Sequence, residues 1–313
     1  MLTRRSALAL PALLLSRAAG AATITRQDWE DAARQRSLPV LLRLPQAPEG
    51  SQGPLPLVII SHGLGGSREG LAYLGEGLSQ GGIAALHVQH PGTDDSLWRG
   101  NANRQASFAA AASDAGRALD RLRDIVFLLD SIPRRPELAG RVDARRTGIA
   151  GHSYGAWLVQ HMLGQRLPGG DRGLTLPEPR LSAGIALSPM PPEGLPPRLA
   201  FARVVAPMLS ITGSEDHSWI GGVRAEARRV PFDSITAPGA LAVLQGAGHA
   251  SFAGEPGIGG RWEEDSYHNR AAGLALAFLR ALWLGDAAAR AFLRDGAPGL
   301  LAAGDRLERK GLD

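Results

Sequence analysis

The chain of 313 residues contains no cysteine. Disulfides, a thiolate nucleophile, cysteine-ligated metals and a cysteine-linked lipid anchor are therefore excluded, and stability in an oxidising compartment would rest on packing alone. Long apolar runs are also missing. The longest near the start, Ala7 to Leu15, falls well short of the ~20 residues that span a bilayer, so no membrane anchor is expected. A basic field is absent too. The formal charge is only +4, and Arg134-Arg135, Arg145-Arg146 and Arg228-Arg229 are short and scattered, which gives nucleic acid no continuous footprint. No internal repeat, low-complexity tract or second apolar core is present, so a single domain is expected over residues 23–313.

Ahead of that domain, residues 1–22 read as an export signal. Arg4-Arg5 supply the charged start, Ala7 to Leu15 the short apolar region, and Ala19-Gly20-Ala21 the small residues of a cleavage site. Thr3-Arg4-Arg5-Ser6 resembles a twin-arginine signal, which predicts a periplasmic or secreted protein. Removing Arg4, Arg5 and Arg17 with this segment takes away three of the positive charges.

What is present is an alternation of buried-strand and helix patterns. Leu38 to Arg43 is the first strand-like run, followed by the continuous apolar strands Leu57–Ile60, Ile83–Val88, Arg141–Ile149, Ala183–Leu187, Pro207–Thr212 and Ala240–Leu244. Helices are expected over Ser67–Gln80, from Ala156 to about Gln165, over Tyr267–Leu284, and as one long element. That element carries Phe108, Ala112, Ala115, Leu119, Leu122, Val126 and Leu129 at three- and four-residue intervals. This alternation predicts an α/β fold with a mainly parallel central sheet and helices on both faces. The tail from Asp286 to Asp313 is polar, helix-prone and peripheral. Residues 166–180 and 189–203, rich in proline and glycine, are either lids or rigid surface connections.

Three of the strands empty into loops that carry reactive side chains. The strand ending at Ile149 runs into Gly151-His152-Ser153-Tyr154-Gly155, where glycines two residues either side of Ser153 allow a sharp strand-to-helix turn. Serine is a poor nucleophile unless a base takes its proton, and that base needs a carboxylate to hold one tautomer. His249, after the strand Ala240–Leu244, is the expected base. Asp216, after Pro207–Thr212, is the expected acid, with neighbouring Glu215 as its competitor. His62, His152, His161, His217 and His268 lack the strand-then-loop setting or sit elsewhere on the turns.

The strand Leu57–Ile60 opens into Ser61-His62-Gly63-Leu64-Gly65-Gly66-Ser67, a glycine-rich turn able to aim a backbone amide at a developing oxyanion. Leu64 is the expected donor, with the amide of Tyr154, at the start of a helix, as the second. A phosphate-binding loop would need a lysine after these glycines, and Arg68-Glu69 follow instead. His87 and His90 with Asp94 or Asp95 have the chemistry of zinc ligands. On a strand, however, residues three apart face opposite ways, so no metal site and no cofactor are predicted.

The runs ISHGLGGS, HPGTDDS, GHSYGA, TGSEDHSWIGG and GAGHASFAG resemble α/β-hydrolases of the dienelactone-hydrolase-like group, especially bacterial proteins similar to platelet-activating-factor acetylhydrolase. The resemblance extends from Leu38 to Leu284, and the order serine, acid, histidine matches that fold. It implies a triad of Ser153, Asp216 and His249, oxyanion donors at Leu64 and Tyr154, and hydrolysis of a small carboxylic ester through an acyl-enzyme. Dienelactone hydrolases proper use a cysteine nucleophile, which this chain lacks. Trp98, Trp219 and Phe252 flank the site loops and are expected, with Leu64, to wall the substrate pocket. Lactone, amide or perhydrolase chemistry would use the same triad, and a non-catalytic binding protein would be expected to have lost part of it.

Overall fold

The computed structural model describes residues 20–46, 53–100, 103–169, 173–255 and 262–312. Residues 1–19, with the twin-arginine motif, lie outside them. The apolar runs become strands because their side chains are covered on both faces. Thus β3 (Leu55–Ser61), β4 (Ala84–Val88), β5 (Val142–His152), β6 (Gly184–Leu187), β7 (Met208–Glu215) and β8 (Gly239–Gly248) pair in parallel.

Three antiparallel strands flank this block: β1 (Gly20–Asp31) and β2 (Arg36–Gln46) as a hairpin on one side, β9 (Arg306–Lys310) on the other. The resulting nine-stranded sheet has the order β1-β2-β4-β3-β5-β6-β7-β8-β9. On one face pack α1 (Ala72–Gln80), α7 (Trp262–Trp283) and α8 (Ala287–Arg294), burying a cluster that includes Leu74, Leu78, Leu276 and Phe292. The other face carries α3 (Ala115–Ser131), α4 (Tyr154–Met162) and the short α5 (Pro197–Ala200), burying Leu122, Ile125, Leu158 and Phe201. The remaining described helices, α2 (Arg104–Ser113) and α6 (Val230–Ser234), lie in connections. The protein is thus α/β with a mostly parallel sheet. None of its described helices is long and apolar enough to cross a membrane.

Several elements differ from the sequence expectation, each for a local reason. The long helix through Phe108 to Leu129 is broken at Asp114, whose carboxylate caps α3 by accepting the Arg117 amide at 3.1 Å. The break turns the apolar face: Ala111, Ile125 and Leu128 are buried, while Ala112, Ala115 and Val126 are exposed. The helix expected from Ser67 begins only at Ala72, because Leu71 takes a left-handed conformation with φ of 57°. Strands β1 and β9 were not anticipated. The first strand was expected at Leu38, and Arg306–Lys310 lies in the tail read as polar, helix-prone and peripheral, where it instead pairs with β8; these edge strands carry no unbroken apolar run to announce them.

The order of winding positions the site. From β3 the chain crosses to β4 on one side, then passes back to β5 on the other, and the carboxyl ends of β3 and β5 flank the point where this direction changes. Open α/β sheets bind ligands at such a crevice.

Candidate functional site

At the end of β5 the backbone reverses sharply into α4, and Ser153 sits at the corner with φ of 55° and ψ of −110°. A serine there is strained, at a cost of order 1–3 kcal/mol, and surrounding structure must enforce it. The enforcement is steric. A Cβ on Gly151 would lie 2.5 Å from the Gly155 carbonyl carbon, and one on Gly155 would lie 2.2 Å from the Ser61 carbonyl oxygen. Only glycine lets strand, corner and helix approach this closely.

Three loops bring their side chains to this corner. The Ser153 hydroxyl lies 2.9 Å from His249 Nε2, and His249 Nδ1 lies 2.7 Å from Asp216 Oδ1. With Nδ1–H donating to the carboxylate, Nε2 is left as the acceptor for the hydroxyl proton. Asp216 is buried, and its other oxygen accepts the Thr212 hydroxyl at 2.7 Å. Burial alone would raise this carboxyl, but the His249 hydrogen bond and the Arg228 charge outweigh it and hold it at about 2. Glu215, the competing acid, is the exposed last residue of β7. His152 Nε2–H donates to the His249 carbonyl at 2.9 Å, anchoring the base through its backbone. Burial, then the neighbouring His249, lower His152 to about 3, so it is neutral.

The backbone amides of the two expected oxyanion donors are left unspent by the fold. Gly65 and Gly66 amides donate to the Thr93 and Gly63 carbonyls at 2.9 and 3.1 Å, whereas the Leu64 and Tyr154 amides have no partner among the described residues. Tyr154 opens α4, so its N–H is one that the helix leaves free, at the positive end of the dipole.

Behind these donors lies a network that the sequence reading missed. Arg121, fully buried on α3, donates to the His62 carbonyl, to Ser61 Oγ at 2.8 Å and to Thr93 Oγ1 at 2.9 Å, and its guanidinium stacks 4.7 Å from the Tyr154 ring centre. One side chain thus touches the loops of both donors. Ser61 Oγ also lies 3.0 Å from His90 Nε2, while His90 Nδ1 lies 2.8 Å from Asp124 Oδ2.

This is a second serine–histidine–aspartate set, but all three members are buried and none of them lines the cleft at Ser153. Burial raises Asp124, yet His90 and Arg36 hold it at about 2; burial and Arg121 lower His90 to about 4. The set is a neutral-histidine brace under the loop. Its sequence signal was available: Arg121 and Asp124, one helical turn apart, interrupt an otherwise apolar face.

Arg228 was also missed, being read only as part of a surface pair. It is fully buried in the 3-10 turn Ala225–Arg229, with Nε 3.2 Å from Asp216 Oδ1, Nη1 3.3 Å from the Ser188 and Pro189 carbonyls, and Nη2 3.1 Å from His249 Nδ1. It joins the loops after β6, β7 and β8.

Ser153 opens into a cleft of about 250 Å³ walled by Leu64, Phe108, Trp219, Ile220, Ala253 and Glu255. Trp219 is a wall, as expected. Trp98 instead stands behind the loop, donating Nε1–H to the Gly65 carbonyl at 2.7 Å. Phe252 is corrected outright: it is fully buried in the core against α1 and α7, and its carbonyl accepts the Tyr73 hydroxyl at 3.0 Å. The turn after His249 aims this ring inward, leaving Ala253 and Glu255 to face the cleft.

Neither segment read as lid or connection lines the cleft among its described residues. Arg166 N–H and Glu178 N–H donate to the Ala200 and Met162 carbonyls, and the Met190 amide donates to Gln160. His87 is enclosed on Gly70 while His90 faces Asp124, and no group of side chains among the described residues could hold a metal. No protein-family model matches the chain, and no curated protein matches it.

Proposed function

We propose that this chain is a serine hydrolase with an α/β-hydrolase fold, related to the dienelactone-hydrolase-like group, that cleaves short carboxylic esters. The observation that carries this reading is the relay of Ser153, His249 and Asp216, at 2.9 and 2.7 Å, ending at the floor of an apolar cleft. The unspent amides of Leu64 and Tyr154 beside it support the same chemistry.

In this mechanism His249 Nε2 takes the Ser153 proton as the hydroxyl oxygen attacks the ester carbonyl. The tetrahedral oxyanion is held by the amides of Leu64 and Tyr154. His249 then gives its proton to the departing alcohol, leaving acyl-Ser153. Water, deprotonated by the same imidazole, attacks this ester and releases the acid. Asp216, ionised throughout, fixes the histidine tautomer and balances the imidazolium. The leader carrying Arg4-Arg5 supports an exported site of action.

A fluorophosphonate probe tests the reading, since only an activated serine reacts with it. Mass spectrometry is expected to place the label on Ser153. Ser153→Ala is expected to abolish labelling and to lower p-nitrophenyl acetate turnover by on the order of a millionfold. Labelling elsewhere, or turnover that survives the substitution, would refute the proposal.

A further inference from the structure

The cleft wall contains one group that ester cleavage does not use. Glu255 reaches back over the glycine-rich loop, and space for its carboxylate exists only because Gly66 and Gly70 carry no Cβ. Added there, Cβ atoms would lie 2.3 and 1.8 Å from Glu255 Oε1. Its oxygens accept the Ser67 amide at 3.0 Å and the Ser67 hydroxyl at 3.1 Å. No cation among the described residues pairs with it. The buried acids Asp216 and Asp124 have an arginine instead, Arg228 and Arg36, while buried Asp94 is held by the Gln89 amide and the Ser96 hydroxyl.

Burial, with Asp95 and Glu69 adding negative charge, pushes Glu255 up to about 7. A carboxylate desolvated without a counter-ion is costly, and a cation brought into the cleft would relieve that cost. The same cleft presents two rings, Phe108 and Trp219, edge to face with centroids 6.4 Å apart. Trp219 is 64% exposed, a large apolar side chain left facing water. An anion and aromatic faces around one cavity make a site for an ammonium group. No arginine or lysine among the described residues lines the cleft to compete, and His152 across it is neutral.

We infer that the cleft selects esters bearing an ammonium group, held by the Glu255 carboxylate and the Phe108 and Trp219 rings while the ester lies on Ser153. This rests on the hydrolase reading and adds a substrate class to it. Acetylcholine and its uncharged isostere 3,3-dimethylbutyl acetate probe it, because they share shape and differ in charge. The ratio of their kcat/KM values cancels the folded fraction and the chemistry common to both.

For the full chain at pH 8.5 the ratio is expected to favour the cation by on the order of tenfold. Glu255→Gln should bring it to about one, and Trp219→Leu should lower it. Between pH 6 and 8 the ratio should rise as Glu255 ionises. The charged and titratable groups around it are Asp95, Glu69 with its partner Arg26, and His152 and His249 across the cleft. A ratio near one in the unaltered protein, or one unmoved by Glu255→Gln, would overturn the inference while p-nitrophenyl acetate turnover continued. Loss of all three turnovers with no fluorophosphonate labelling would strike the hydrolase reading, and this one with it.

Discussion

At the scale of single residues, the site depends on conformations and charges that neighbours must impose. Ser153 is held at φ of 55° because the Gly155 Cα lies against the Ser61 carbonyl. Gly155→Ala would drive a methyl into that backbone oxygen, with no flexible side chain to give way. It is expected to destabilise the protein by about 1–3 kcal/mol or more and to lower kcat, read by chemical denaturation and p-nitrophenyl acetate kinetics. Wild-type stability with full activity would show that the corner tolerates a wider turn.

Arg228 is the second such residue. Arg228→Met leaves the buried Asp216 carboxylate and two carbonyls short of donors, at an expected cost of about 3–5 kcal/mol. Arg228→Lys restores the charge but not the fork that joins three loops, so it should recover only part of the loss. Full recovery by lysine would reduce the role to charge alone.

At the scale of elements, α3 does more than cover the sheet. Its Arg121 joins the loop after β3 to the first residue of α4, so it sets the spacing of the two expected oxyanion donors. Arg121→Lys keeps the charge and loses the bidentate geometry. It is expected to lower kcat by up to about a hundredfold with little change in KM, the scale of losing one such donor. Affinity for a trifluoromethyl ketone, which forms a tetrahedral adduct, should fall in parallel. A change confined to KM would assign Arg121 to substrate binding instead.

The edge strand β9 closes the β8 side of the sheet through five register pairs. Truncation after Gly304 uncovers the β8 edge and is expected to promote association, measured by light scattering. A truncated chain that stays monomeric and equally stable would show that the strand is dispensable.

These elements also mark how far pattern reading reaches. Strands β3 to β8 were legible because burial on both faces leaves an unbroken apolar run. Strand β9, with one face in water, leaves none. The break at Asp114 was invisible to a periodicity that continues across it with the wrong face. Arg121 and Asp124 were visible as charges on an apolar stripe, but their partners Ser61, His90 and Arg36 come from three other strands or loops.

At the scale of the molecule, the interior is rich in neutral histidine. Burial lowers His87 and His152 to about 3, and His90, His161 and His268 to about 4. Because these folded-state values lie below the ordinary value near 6.5, the unfolded chain takes up protons first as pH falls. The stability they contribute is complete above pH 6.5 and is lost progressively from there towards 3–4, at up to ~1.4 kcal/mol per pH unit for each histidine.

Asp124 and Asp216, lowered to about 2, lose theirs only between about 4 and 2. Glu255 has the opposite sign: its contribution is present at low pH and fades as pH rises through about 7. Denaturation midpoints should therefore fall steeply between pH 6.5 and 4.5. A midpoint that stays level over that range would show these imidazoles to be solvated.

The sequence alone determined the alternation of buried strands and helices, the glycine-framed turn at Ser153, and the strand-then-loop settings of Asp216 and His249, because each is a short-range pattern of size and polarity. It also carried the resemblance on which a hydrolase was expected. Only the tertiary structure decided that Asp216 rather than Glu215 meets the imidazole, that Phe252 turns into the core, and that Arg121, Arg228 and Glu255 border the site. Those outcomes depend on which side of a loop each side chain leaves and on what distant segments present to it, and no spacing within one segment encodes that.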